Sequence, residues 1–147
     1  MRNLEKCENN VELRMLRQED WNFISSCFLK SMRRCEAFKN VNSFQFYKLM
    51  QQKLEQAILD YDVVVACDPQ NTNIVYGYLI ARRGEDPNCI ELFHGFVKYP
   101  FRKMSIGSYM VKSISSAVNI EYAFETFAMK RLKKKGYFNF IHNPLLG

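Results

Sequence analysis

The chain has 147 residues, of which 48% are hydrophobic and 24% charged, and this composition is typical of a single globular domain spanning 1–147. It excludes a disordered, collagen-like or low-complexity protein, and no apolar run reaches the roughly 20 residues that cross a bilayer. The formal net charge is +6. Much of it lies in the segment 130–135, which is expected to attract phosphate-bearing partners.

The five cysteines are an odd number without any C-x-x-C pair, which argues against both a disulfide framework and a zinc site. Reduced thiols, mostly buried, are therefore expected at Cys7, Cys27, Cys35, Cys67 and Cys89. With only two histidines, a metal cofactor is not expected. The segment Met1 to Asn10 lacks the apolar core of a signal peptide, so we expect a soluble, cytoplasmic protein without membrane contact.

The first third of the chain predicts one strand followed by two helices. Apolar and polar residues alternate over Val11 to Arg17, the period of a half-buried strand. Asp20 is a candidate N-cap for a helix, whose apolar residues recur at three- and four-residue steps. A second helix is expected from Asn42 to Leu59, with Asn42 and Gln45 resembling a capping box. The apolar faces of the two helices comprise Trp21, Ile24, Phe28 and Met32, then Tyr47, Met50, Leu54, Ala57 and Ile58.

The middle of the chain changes to the pattern of a β-meander. Three apolar runs, Val63 to Cys67, Ile74 to Ala81 and Cys89 to Val97, are separated by polar turn sequences, so adjacent strands should pair antiparallel. A helix then follows a polar loop, with Ile106, Met110, Ile114 and Ala117 on its apolar face.

The last quarter predicts a strand from Ile120 to Thr126, a short basic helix from Phe127 to Lys135 that ends at Gly136, and a final strand over 137–141. The element order is thus β-α-α-β-β-β-α-β-α-β. It predicts one α+β domain with a mixed, largely antiparallel sheet and helices on both faces.

The loop between the third meander strand and the next helix combines features of an anion site. It reads V-K-Y-P-F-R-K-M-S-I-G-S over 97–108. A helix N-terminus presents unpaired N–H groups and a partial positive charge, and Arg102 and Lys103 add cations. Gly107 removes a Cβ where a ligand could approach the backbone. A basic loop before a helix is also common in proteins that bind no anion there.

The element order and the residues Val97, Arg102 and Gly107 resemble the GNAT superfamily of acyl-CoA-dependent N-acyltransferases, whose corresponding loop has the form Q/R-x-x-G-x-G/A. The resemblance implies that acetyl-CoA or another short acyl-CoA is the co-substrate and that a primary amine accepts the acyl group. The backbone at Phe96 and Val97 would pair with the pantetheine arm. The loop Arg102, Lys103, Met104, Ser105, Ile106, Gly107 and Ser108 would hold the pyrophosphate.

Glu91 is the candidate general base, because it lies six residues before Val97 on the same strand, where histone-type members of the superfamily carry a glutamate. A lysine ammonium has a pKa of about 10.4, so an amine acceptor must lose a proton before it attacks. His94 is the reserve candidate. Charge alone suggests that Lys130 and Lys134 reach the nucleotide phosphates.

Two departures from the family pattern leave a second function open. The glycines usual at 103 and 105 are Lys103 and Ser105, and Leu132 occupies the place of a tyrosine that protonates the leaving thiolate. The alternative is a GNAT-like binding or inhibitory module that has lost catalysis. A third hypothesis is nucleic-acid binding by the basic C-terminal helix and by the interleaved aromatic and basic residues over 93–103.

Overall fold

The structure is a computed structural model and describes residues 10–146. Its element order confirms the predicted one. In chain order the elements are β1 (Glu12–Met15), α1 (Trp21–Arg33), α2 (Ser43–Asp60), β2 (Asp62–Cys67), β3 (Val75–Arg83), β4 (Cys89–Val97), α3 (Ile106–Ile114), β5 (Asn119–Tyr122), α4 (Phe127–Lys134) and β6 (Asn139–His142).

The six strands form one sheet in which each strand lies beside its neighbour in the chain. The pairs from β1 to β4 are antiparallel, whereas β5 is parallel to β4 and β6 is parallel to β5. Parallel neighbours need a crossover connection, and here α3 and α4 supply the two crossovers. The prediction of an α+β fold with a mixed, largely antiparallel sheet is therefore confirmed.

Helices cover both faces of the sheet, as predicted, and each face has its own apolar core. On one face α1 and α2 bury Ile24, Phe28 and Met50 against β2 and β3. On the other face α3 and α4 bury Ile106, Met110 and Met129 against β3, β4 and β5. Each large apolar side chain contributes about 1.5–3 kcal/mol when fully buried, so both helical layers are held by packing.

Asp20 does not cap α1 through its side chain, contrary to the sequence prediction. Its carboxylate is buried and accepts two hydrogen bonds from the Arg14 guanidinium, at 2.7 and 2.8 Å, and one from the Arg17 amide at 2.8 Å. The bond from Arg14 is the main cause that lowers the pKa of Asp20. A bidentate guanidinium is the stronger partner, so this carboxylate ties β1 to the start of α1.

One buried position and two element ends also differ clearly from the sequence prediction. Tyr47 is exposed and Phe46 is buried in its place, since Phe46 is the residue that lies four positions before the buried Met50. Helix α3 ends at Ile114 and not at Ala117, because the backbone at 115 is extended. Strand β5 ends at Tyr122, and Thr126 instead becomes the N-cap of α4.

Strand β4 has two different halves. Its first half, Cys89–Leu92, pairs with both β3 and β5, but the second half, Phe93–Val97, is paired in the described structure with β3 alone. The pairing with β3 also shifts register, because Leu92 opposes Ala81 and His94 opposes Ile80, leaving Phe93 as an extra residue. Such a bulge bends the strand, and one edge of Phe93–Val97 therefore opens into the space that β5 has left.

The described part of the chain contains four free cysteines, of which Cys27 is half-buried and the other three are buried. Cys7 lies outside the described residues. Burial raises the pKa of all four thiols. No helix within 10–146 is both long and apolar enough to span a membrane, and no metal-binding cluster of His, Cys, Asp and Glu occurs among these residues.

Candidate functional site

A cleft opens between the unpaired half of β4 and the helices α3 and α4. Its enclosed volume is about 110 Å³, and its wall is formed mainly by the apolar side chains of Leu79, Leu92, Met110, Val111, Met129 and Leu132. A cleft with apolar walls and a few polar groups is the usual form of a small-molecule site. The cleft lies where the pairing of β4 with β5 ends and β4 continues without that neighbour.

Three basic residues, Arg102, Arg131 and Lys135, also line this cleft, and no acidic residue does so among the described residues. Burial and, secondly, the nearby charge of Arg102 lower the pKa of Arg131. The Arg102 Nε donates to the carbonyl oxygen of Val97 at 2.9 Å. Two guanidinium groups that repel each other without a carboxylate between them favour an anionic ligand, since it would neutralise both.

The first turn of α3 lies beside these cations and begins with an unusual backbone conformation. Ser105 has φ 57° and ψ 31° and is the one non-glycine residue with positive φ in the part of the chain that the structure describes. This left-handed conformation costs an L-residue roughly 1–2 kcal/mol. Glycine adopts this conformation without strain, and here a serine holds it at the start of α3.

Gly107 provides a test of whether a ligand approaches this backbone. A Cβ built on Gly107 has Leu132 Cδ1 as its nearest neighbour outside its own surroundings, at 3.7 Å, so alanine meets no clash in the protein itself. Gly107→Ala should keep or raise stability by up to about 1 kcal/mol, because alanine favours the helix. It should also weaken acetyl-CoA binding by about tenfold, measured by calorimetry.

Gly136→Ala is the matched control. Gly136 has φ +74° and an open space around its missing Cβ, so alanine there should lower stability by strain alone and leave acetyl-CoA affinity unchanged. Equal binding by the Gly107→Ala and wild-type proteins would contradict a close approach of ligand to this turn.

The sequence-predicted binding residues fall into two groups. Phe96, Val97, Arg102 and Gly107 line the cleft. Lys103 is exposed, Met104 packs against the core, and the side chains of Ser105, Ile106 and Ser108 are buried. In the part of the chain that the structure describes, Ser108 Oγ has no hydrogen-bond partner. The second group could therefore contact a ligand in the cleft chiefly through backbone groups.

The basic helix α4 presents different residues to the cleft from those that charge alone suggested. Arg131 and Lys135 line it, whereas Lys130 lies over the Phe127 ring at 5.4 Å and faces a second pocket, and Lys134 is exposed. Positions 131 and 135 are one helical turn apart and share a face. The sequence predicts the start of α4 at Phe127 correctly, but which face of the helix turns toward the cleft depends on how it packs against the sheet.

Glu91 lies on the opposite face of the sheet from α3 and α4, and it is not among the residues lining the cleft. Its carboxylate accepts from Arg82 Nε at 2.6 Å, which is the main cause that raises the pKa of Arg82. The Arg82 guanidinium lies in turn over the Tyr61 ring, 4.2 Å from its centre. Glu91 is largely buried and ion-paired, at the end of the β4 segment that still pairs with β5.

His94 lines the cleft and is fully enclosed, with 2% of its surface exposed. Its Nδ1 lies 2.9 Å from the Tyr78 hydroxyl oxygen, and its Nε2 has no hydrogen-bond partner within residues 10–146. Burial lowers the pKa of His94 to about 3 and holds the pKa of Tyr78 well above its ordinary value. Sequence reasoning missed Tyr78, because a tyrosine in an apolar strand carries no signal that it contacts a histidine on the next strand.

The buried imidazole should make stability depend on pH. In the unfolded chain a histidine has a pKa of about 6.5, whereas the folded value for His94 is about 3. Between these values the unfolded state binds the additional proton, so the free energy of unfolding should fall by about 1.4 kcal/mol per pH unit as the pH drops. Urea unfolding between about pH 7.5 and pH 5 measures this slope, above the range where carboxylates titrate.

His94→Gln should reduce that slope by one proton. His142→Gln is the control, because it removes the other histidine of the chain, which is exposed. An unchanged slope in His94→Gln would show that His94 is not held neutral by the fold.

No protein-family model matches the chain, and no curated protein sequence matches it. Among solved structures, it is similar to a GNAT-family acetyltransferase from Staphylococcus aureus Mu50 with 15% identity over 71% of this chain and 62% of that one, at a TM-score of 0.46. It is also similar to PaiA N-acetyltransferase from Thermoplasma acidophilum, solved with coenzyme A, with 17% identity over 86% of this chain and 74% of that one, at a TM-score of 0.47.

A third similar structure is a putative acetyl transferase from Pyrococcus furiosus, with 13% identity over 90% of this chain and 82% of that one, at a TM-score of 0.44. This chain spans less than two thirds of the length of the staphylococcal protein named first. Likenesses at 17% identity or less and TM-scores of 0.47 or less carry no argument about activity. The chain is similar in fold to GNAT-family acetyltransferases of known structure.

Proposed function

We propose that this chain binds acetyl-CoA, or another short acyl-CoA, in the cleft and transfers the acyl group to a primary amine. The observation that carries the proposal is the pair of arginines, Arg102 and Arg131, which line an apolar cleft without a carboxylate among its described residues. Coenzyme A joins several phosphate groups to a long, mainly uncharged arm. A cationic mouth leading to an apolar wall suits such a molecule.

Each part of the cleft has a role in this proposal. Arg102 and Arg131 hold phosphate oxygens, and the amides that begin α3 add donors whose helix dipole favours the negative charge. The unpaired edge of Phe93–Val97 supplies strand-like backbone groups to the arm. The Val97 carbonyl accepts one hydrogen bond from Arg102 Nε. When the ligand's arm pairs with Val97, Arg102 releases this single bond.

Acyl-CoA supplies an activated carbonyl carbon as a thioester. Glu91, which is ion-paired with Arg82 and is not among the residues lining the cleft, is proposed as the base that removes a proton from the incoming ammonium group through water. The C–N bond then forms as the C–S bond breaks, the sulfur leaves with the bonding electron pair, and the amide nitrogen releases its remaining extra proton to solvent. Leu132 lines the cleft where the family carries a tyrosine, so the thiolate would take its proton from solvent.

Leu132 favours one second candidate, a module that binds acyl-CoA without turnover. The aromatic residues considered for nucleic-acid binding support that hypothesis poorly. Phe93 stacks on Phe28 at 5.3 Å and Phe101 stacks on Tyr76 at 4.1 Å, so both rings pack inside the protein. Of the aromatic side chains over 93–103, Tyr99 is the one that is largely exposed.

Isothermal titration with acetyl-CoA tests the proposal, with desulfo-CoA and ATP as comparison ligands. We expect one site with micromolar affinity that is lost in Arg102→Glu, followed by acetyl transfer in a screen of amine acceptors. Binding without transfer to any amine would favour the non-catalytic module. No heat of binding at millimolar acetyl-CoA would refute both hypotheses for the cleft, the acyltransferase and the non-catalytic module that binds acyl-CoA.

A further inference from the structure

His94 and Tyr78 form a buried hydrogen-bonded pair on neighbouring strands, and both side chains line the cleft. His94 follows the extra residue of the β4 bulge, so it lies where β4 begins to run without β5 beside it. The Phe28 ring packs edge-on against the imidazole at 5.2 Å and limits its rotation. The imidazole is therefore fixed in position.

The hydrogen-bond distances indicate which ring nitrogen of His94 carries the proton. The Tyr78 hydroxyl lies 2.9 Å from His94 Nδ1 and 3.4 Å from the carbonyl oxygen of Ile24. A hydroxyl donor is normally within about 3.0 Å of its acceptor, so the phenol proton belongs on the side of Nδ1. A neutral imidazole that accepts at Nδ1 must carry its own proton at Nε2.

In this tautomer His94 Nε2 is a buried N–H group without an acceptor among the described residues. An unsatisfied buried donor costs about 1–3 kcal/mol, and the fold could have avoided this cost with an apolar side chain at the same place. Because Tyr78 already occupies Nδ1, Nε2 is the ring nitrogen of His94 left for a molecule in the cleft that His94 lines. A ligand that offers an oxygen acceptor would recover the lost hydrogen bond.

We infer that His94 Nε2–H donates a hydrogen bond to the carbonyl oxygen of the acyl group, with Tyr78 holding the imidazole in the tautomer that makes this possible. The inference rests on the proposed acyl-CoA function. A neutral donor directed at the oxygen where negative charge develops stabilises the transition state more than the ground state. His94 is then an electrophilic group and not a base, which leaves proton removal to Glu91.

The test uses ¹⁵N-histidine NMR of the whole protein, which contains only two histidines. In the free protein we expect His94 to show a protonated Nε2 and a bare Nδ1 without titration between about pH 5 and pH 8, because its pKa is about 3. His142 serves as the internal reference. A protonated Nδ1 on His94 would overturn the inference.

Two ligands that differ only at the carbonyl isolate the proposed contact. Acetyl-CoA should shift the His94 Nε2–H resonance, whereas S-ethyl-CoA, in which a methylene replaces the carbonyl, should bind by calorimetry without that shift. Equal shifts, or none, from two ligands that both bind would refute the role of His94 and leave the proposed function intact. Failure of both ligands to bind would instead refute the proposed function, and the inference with it.

Kinetics of two variants give an independent readout. His94→Phe should lower kcat by about 100-fold, the usual effect of removing one such donor, with S-ethyl-CoA affinity unchanged. His94→Gln, whose amide can donate, should lose less. Equal losses of kcat in both variants with wild-type ligand affinity would contradict a donor role. If either variant fails to fold, the NMR comparison of acetyl-CoA and S-ethyl-CoA on the wild-type protein tests the donor role instead.

Discussion

Replacing Arg131 with methionine is expected to weaken acetyl-CoA binding by about 10- to 100-fold while the free protein stays as stable as the wild type or becomes more stable. A hydrogen bond to a charged group is worth about 1.5–3 kcal/mol, and about 1.4 kcal/mol corresponds to a tenfold change in affinity. In the free protein the charge of Arg131 is half-buried and repelled by Arg102, so methionine removes an unfavourable contact and keeps the volume.

Lys134→Met is the matched control for this experiment. Lys134 lies on the same helix but is exposed and does not line the cleft, so it should change affinity only through the general field of the protein. That contribution is screened by salt. The measurements are calorimetric titration and thermal unfolding, each at two salt concentrations. Equal losses of affinity in the two variants would mean that net charge alone, without a defined phosphate contact, governs binding.

The second large effect is expected from Glu91→Gln, which should lower kcat by about 100-fold or more without changing the affinity for acetyl-CoA. The substitution keeps the shape and removes the ability to accept a proton, and general base catalysis typically contributes 10²–10⁴-fold. Some stability should also be lost, because Arg82 loses its carboxylate partner at 2.6 Å. Steady-state kinetics with the best amine found in the screen measure the effect.

Glu121→Gln provides the control, because Glu121 is the residue of β5 that is opposite Glu91 in the parallel pairing. It removes the same charge from the neighbouring position in the sheet. Its kcat should remain within a few-fold of wild type. A Glu91→Gln protein with wild-type kcat would assign proton removal to solvent or to another group.

The sequence was sufficient to predict the order of elements, because each depends on local patterns. The period of Ile24, Phe28 and Met32 predicts their common buried face, and Gly136 ends α4 in the left-handed conformation expected of it. The cap at Asp20 was predicted wrongly for a physical reason. Its partner, Arg14, lies on the preceding strand, and a local pattern cannot weigh a tertiary ion pair against a helix cap.

The candidate site was predictable only in part, for the same reason. Arg102 and Gly107 stand in one continuous motif, so the sequence predicts them together, and both line the cleft. Arg131 and Tyr78 come to the cleft from a distant helix and a neighbouring strand. Their positions depend on how α4 packs against the sheet and on the register between β3 and β4, and neither is encoded by residues next to each other in the chain.

The extra residue at Phe93 has a consequence for how this strand can vary. Side chains of a regular strand alternate between faces, yet Phe93 and His94 both contact Phe28, so the bulge resets the alternation for everything that follows. Because Leu92 opposes Ala81 and His94 opposes the next residue, Ile80, deleting Phe93 would remove the bulge and its bend while His94 and Phe96 keep facing α1. Substitutions along β4 alter one side chain each, whereas deletion of this single codon would straighten the strand without exchanging the two faces of the cleft wall.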